Sequence, residues 1–192
     1  MEEKNSRFSG RIRPLIRTAL RYGFRPARFL RGTDPVYTGL SLAGTAAVFG
    51  GLFFSVGLDW YHAGLVSSDR MWAYTLMGIL TGAVAALLLA AILSFFAASL
   101  NKERISPFAF LPCVAGASLF PGCLILFGIL WGCVFSTPVS DAFGLAGLLW
   151  WLWLIFELMR DLFRKHLLAV LSAVTVYGCL VCLWINVTFG LK

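Results

Sequence analysis

Residues 71–100 contain no charged side chain, and this run constrains the fold more than any other feature of the chain. About 20 apolar residues cross the roughly 30 Å hydrocarbon core of a bilayer, while thirty of them at 1.5 Å rise reach about 45 Å. The segment is expected to span a membrane and to tilt or project from it. Its small residues stand four apart, at Gly78, Gly82, Ala86, Ala90, Ser94 and Ala98. Small side chains let a second helix backbone come close, which is how helices associate where lipid removes the hydrophobic incentive. Each four-residue step overshoots a 3.6-residue turn by about 40°, so the six positions wind partly around the helix. Gly78, Gly82 and Ala86 are then expected to meet one neighbour and Ala90, Ser94 and Ala98 another. This span would be the central packing post.

Four further apolar stretches accompany it, at about 36–58, 108–135, 142–159 and 167–189. The expected fold is all-α: a polytopic transmembrane bundle of five spans over residues 35–192, preceded by a basic arm over residues 1–34. Composition agrees, since 13% of residues are charged against roughly 25% in soluble domains. The basic start is longer than the leading region of a signal peptide, and no short apolar run ends in a small-residue cleavage site.

Orientation follows from the basic residues. With the N-terminus inside, the inner side holds the nine Lys and Arg of the arm, then Lys102, Arg104, Arg160, Arg164 and Lys165, fourteen in all. The outer side holds only Arg70 and Lys192, so the C-terminus is expected outside. Trp60, Trp72, Trp131 and Trp184 then gather toward the outer boundary as an aromatic belt. In the arm, Pro14 opens a short segment with Leu15, Ile16, Ala19 and Leu20 on one face and Arg17 and Arg21 beside them. Two readings fit it. One is an interfacial helix whose Arg17, Arg21, Arg25 and Arg28 contact anionic lipid; the other is a solvated basic tail that only fixes orientation. The arm has arginines but few aromatics to stack and no recognised nucleic-acid motif, so no nucleic-acid partner is expected.

The third stretch carries Pro121 in its middle, where a proline removes a backbone hydrogen bond and kinks the helix. Gly128 and Gly132 follow as a GxxxG packing pair, and Ala43, Ala47 and Gly51 form a similar face on the first stretch. A broken helix can expose backbone to a substrate, but only Ser118 offers a polar partner at that depth.

Chemistry is sparse. Every Asp, Glu, Lys, Arg and His lies in a loop or at a span boundary, with Glu157 the deepest acid and Arg160 or Arg164 in reach as its ion-pair partner. His62 and His166 are isolated in sequence. The five cysteines, Cys113, Cys123, Cys133, Cys179 and Cys182, all lie in apolar stretches and read as buried thiols rather than a disulfide framework or a metal site. No catalytic set, cofactor motif or metal cluster is evident. Asn186-Val-Thr188 spells a glycosylation acceptor but stands too near the membrane end to serve as one.

Ser106-Pro107-Phe108 leads into a span containing Ser118-Leu119-Phe120-Pro121. Leu148-Leu149-Trp150-Trp151-Leu152-Trp153, the basic turn at 160–166 and Leu167-Leu168-Ala169-Val170-Leu171 follow. About half the chain in this way resembles the Yip1-domain family of five-span membrane proteins. The Asp-Leu-Tyr-Gly-Pro and Gly-Tyr motifs of the eukaryotic members are missing. The resemblance thus implies a bacterial-type integral membrane protein rather than a small-GTPase or trafficking role.

These readings converge on a non-enzymatic integral membrane scaffold or accessory subunit. Its partners would be membrane lipids and other membrane proteins or a second copy of itself. The setting would be a bacterial cytoplasmic (inner) membrane, or alternatively an ER or Golgi membrane. A transporter of small solutes or lipids using the kinked third span is the alternative function, and it expects an accessible cavity near Ser118 and Cys123. An enzyme working at the membrane surface through His62 or His166 has only single residues behind it.

Overall fold

The computed structural model describes residues 35–100, 102, 105–134, 137–163 and 166–189. The arm, with Arg17, Arg21, Arg25 and Arg28, lies outside the described residues. Those described form five helices and no strand: α1 (Pro35–His62), α2 (Ser68–Leu100), α3 (Leu111–Val134), α4 (Thr137–Leu162) and α5 (Leu167–Phe189). One 3₁₀ turn, Pro107–Phe110, leads into α3.

The ends of these helices have local causes. Proline is tolerated in a first helical turn, where its missing N–H would be unpaired anyway, and α1 begins at Pro35. It stops in a paired cap: Leu65 N–H donates to Trp60 O at 2.8 Å and Gly64 N–H to Tyr61 O at 3.0 Å. That cap needs a left-handed residue, which Gly64 supplies with φ +70°. Beyond α2, Lys102 takes φ 57° to reverse the chain. The returning segment is tied down where Ser94 Oγ donates to Ile105 O at 2.6 Å.

Among the described residues four helical stretches are long and apolar enough to cross a membrane: Gly39–His62, Ser68–Leu100, Pro107–Cys133 and Asp141–Leu162. The corresponding apolar stretch of α5, Leu168–Trp184, is shorter. Large apolar side chains point outward along these helices, including Phe95 at 66% exposure and Leu130 at 68%. Water would expel such a surface and hydrocarbon accepts it. The chain is a membrane-embedded protein whose described residues fold as helices.

The most extensive packing is α1 on α2, followed by α1 on α3 and α3 on α4, with α1 also touching α4. The central post is therefore α1 and not the longer, more apolar α2. The reason lies in its small residues, which face two ways. Gly44 and Gly51 approach α3, whereas Thr45, Phe49 and Gly50 lie against α2. On α2 itself the first group behaves as its spacing predicts, with Gly78, Gly82 and Ala86 buried. In the second group Ala90 is buried and Ser94 meets the segment before α3, but Ala98 is exposed and Ala97 takes the core position. A strict four-residue step drifts off the face, and the helix corrects with a three-residue one: 86, 89, 90, 93 and 97 form the buried edge.

The first half of α3 is enclosed on every side, from Phe110 through Ser118. Against it lies the inner face of α4, Trp151, Leu154, Ile155, Leu158 and Met159, all within one hydrophobic cluster. The spacing of three and four residues places those five on a single helical stripe. Val170, Ala173, Tyr177 and Val181 make the corresponding stripe of α5.

Candidate functional site: helix seams and the faces beside them

Two seams hold the bundle, both built where glycine removes a Cβ. In the first, a Cβ added at Gly82 would collide with Thr45 O and lie 2.7 Å from Ala46 Cα. One added at Gly78 would lie 2.7 Å from Phe49 O. In the second, a Cβ at Gly122 would stand 2.9 Å from Gly44 O, and one at Gly44 would stand 3.1 Å from Ser118 Cβ. Backbone-to-backbone approach of this kind concentrates dispersion contacts, the main attraction left to helices in lipid. Gly128 faces Phe143 of α4, where an added Cβ would overlap that ring's Cβ, and Gly132 is buried. The spacing singled out Gly78, Gly82, Ala86, Gly128 and Gly132. It missed Gly44, which has Leu40 and Val48 four residues to either side, and Gly122, whose small neighbour at that spacing is Ser118.

Pro121 sits inside a helix assigned without interruption from Leu111 to Val134. Ser118, the polar residue beside it, is fully buried and accepts a 3.0 Å hydrogen bond from Trp151 Nε1. Trp151 also meets Phe49 edge-on, with ring centroids 5.2 Å apart, and lies 6.2 Å from the Tyr177 ring. One indole thus joins α1, α3, α4 and α5. Tyr177 extends the arrangement by donating to Ala85 O of α2 at 3.3 Å. Sequence alone could not separate Trp151 from its neighbours Trp150 and Trp153, because all three stand in the same apolar run.

Among the described residues the charged side chains lie toward the helix ends. Arg160 pairs with Glu157 three residues before it, as the spacing suggests. Ser55 Oγ donates to Asp141 Oδ1 at 3.0 Å, tying α1 to α4, and Asp59, one turn further on, also lies against Asp141. His62 and His166 are exposed. Among the described residues no group of three His, Cys, Asp or Glu is placed to hold a metal ion.

The cysteines depart from expectation. Only Cys113 is buried; Cys123, Cys133, Cys179 and Cys182 are exposed, and all are free thiols. In a lipid-facing bundle an apolar position is as readily outside as inside, so residence in an apolar run does not imply a core thiol.

The described residues leave open apolar hollows between the helices. One is a groove of about 420 Å³ over α1, floored by Ala43, Ala46, Ala47 and Gly50 and walled by Ile79 of α2 and Leu126 and Ile129 of α3. Another is a cleft of about 260 Å³ between α2 and α5, lined among others by Thr81, Leu88, Val181 and Trp184. Of the three small-residue faces visible in the sequence, those of α2 and α3 are filled from within the chain. On the α1 face Gly51 is filled by Ile125 and Ile129 of α3, while Ala43 and Ala47 line the open groove. No family model matches the chain, and neither the curated proteins nor the solved structures contain a match to it.

Proposed function

We propose that this chain is an integral membrane scaffold or accessory subunit without catalytic chemistry of its own, which seats a transmembrane helix of a partner in the groove over α1. The observation that carries this reading is the floor of that groove. Ala43, Ala46 and Ala47 of α1 let a foreign helix approach closely, whereas a surface meant only for lipid gains nothing from small side chains. The partner is another membrane protein or a second copy of this chain.

A photo-crosslinking residue at Ala43 tests the reading in native membranes. The expected result is one discrete protein adduct, whose mass separates a second copy from a different protein. The same probe at Leu130, 68% exposed on α3, is expected to label lipid alone. Lipid labelling at both positions would overturn the proposal.

In this reading α5 is a fifth span, the arm lies in the cytoplasm and the C-terminus lies outside. The fourteen-to-two division of basic residues supports that arrangement. It is also the plan of the Yip1-domain proteins whose bacterial type the sequence resembles, and it suits a bacterial cytoplasmic membrane. A reporter active only outside the cytoplasm is expected to work when fused at Lys192 and to fail when inserted at Lys102. The reverse pattern would refute the orientation.

A further inference from the structure

The two halves of α3 are held differently. From 111 to 118 every residue is buried, whereas from 123 to 133 only Ile125, Gly128 and Gly132 are. The change falls at Pro121, which has no N–H to give to the carbonyl of Ala117 one turn back. Beside it on α4 stands Gly147, where an added Cβ would collide with the Ile125 side chain and lie 3.2 Å from Pro121 O. Enclosure of α4 changes at the same level. Trp151, four residues beyond Gly147, is fixed to Ser118 at 3.0 Å, but from 141 to 149 only Gly144 and Gly147 are buried. Proline and glycine are residues at which helices bend, and here one of each stands side by side in adjacent helices.

We propose that residues 122–134 of α3 and 137–146 of α4 move together as a flap, hinged at Pro121 and Gly147, that sets the width of the groove over α1. Phe143 couples the two parts of the flap: it covers Gly128 and meets the Phe127 ring edge-on, with centroids 5.7 Å apart. Against α1 the flap rests largely on glycine. Ile125 and Ile129 lie over Gly51, and Gly144 lies beneath Leu52. Glycine offers no side chain for dispersion contacts, so these contacts yield readily. The latch is the hydrogen bond that Ser55 Oγ of α1 donates to Asp141 Oδ1 at 3.0 Å, well away from the hinge. Leu126 and Ile129 of the flap wall the groove on one side and Ile79 of α2 walls it on the other. Hinged movement of a packed element around a fixed one is a common way to open and close a binding site. The hinge is a property of the bundle alone; its use to admit or hold a partner helix rests on the scaffold reading.

Spin labels at Leu76 of α2 and Leu130 of α3, both exposed, read the distance across the groove. They are placed in full-length protein in lipid nanodiscs, with the four exposed cysteines changed to alanine, and measured by pulsed electron resonance. This pair is expected to give two distances, whereas labels at Leu76 and at Leu171 of α5, which avoid the flap, give one. Pro121→Ala restores the missing N–H and is expected to leave only the shorter distance. Ser55→Ala removes the latch and is expected to raise the ratio of longer to shorter distance about threefold, the weight of one average hydrogen bond between membrane helices. The proposal is overturned if the Leu76–Leu130 pair gives a single distance as narrow as the control pair. It is equally overturned if Pro121→Ala leaves both distances in place, or if Ser55→Ala leaves their ratio unchanged. No partner takes part in these measurements, so the hinge can fail while an adduct at Ala43 stands, and the reverse.

Discussion

Replacing Gly82 with leucine is expected to separate α1 from α2 and to lower stability by more than about 3 kcal/mol, the upper end for overpacking a core. The first added atom alone decides the sign. A Cβ at Gly82 would collide with Thr45 O and lie 2.7 Å from Ala46 Cα, and main-chain atoms in the middle of a helix cannot turn aside as a flexible side chain can. Even Gly82→Ala is therefore expected to destabilise, although alanine favours a helix by about 1 kcal/mol over glycine. The matching control is Gly178→Ala on α5, where nothing lies within 4 Å of the added atom and the propensity gain should appear undiminished. Unfolding by SDS in mixed micelles, followed by circular dichroism, checks both. Equal stability of Gly82→Leu and the native chain would mean that α1 and α2 are not held at backbone contact.

The second large effect is expected at Trp151. Truncating a fully buried aromatic to alanine costs about 3–5 kcal/mol, and here the lost ring spans contacts to Phe49 and Tyr177. The hydrogen bond to Ser118 is the smaller part, since polar contacts between membrane helices average about 0.6 kcal/mol. Trp151→Ala should therefore destabilise several times more than Ser118→Ala, with Trp151→Phe between them. The same unfolding assay ranks the three variants. A Ser118→Ala loss as large as that of Trp151→Ala would transfer the role of the seam from packing to hydrogen bonding.

Both seams bear on the proposed function through what they use up. Glycines filled from within the chain are unavailable to a partner, so Gly82→Leu measures folding while a probe at Ala43 measures association. A protein in which only the first experiment succeeds is a closed bundle.

Much of the architecture was legible in the chain. Charge-free runs of membrane length marked the helices, and their ends agree within a few residues, as with residues 71–100 against Ser68–Leu100 and 167–189 against Leu167–Phe189. The physical basis is strong: a charge is costly in hydrocarbon, so spans must exclude it. The Glu157–Arg160 pair was legible for the same reason, being local and at helical spacing.

What the sequence could not decide is which side of each helix faces inward. In water the core side is apolar and the other polar, so periodicity reads out the fold. In lipid both sides are apolar, and the signal that separates them vanishes. Hence Ala97 rather than Ala98 is buried, four of five cysteines face outward, and Trp151 is the core indole while Trp153 faces outward. The same ambiguity hid the central place of α1, whose glycines serve two neighbours at once. By itself the sequence determined a membrane protein of apolar helices, because exclusion of charge acts on each helix alone. Only the tertiary structure decided the seams and the open groove over α1, because close packing depends on which surfaces meet.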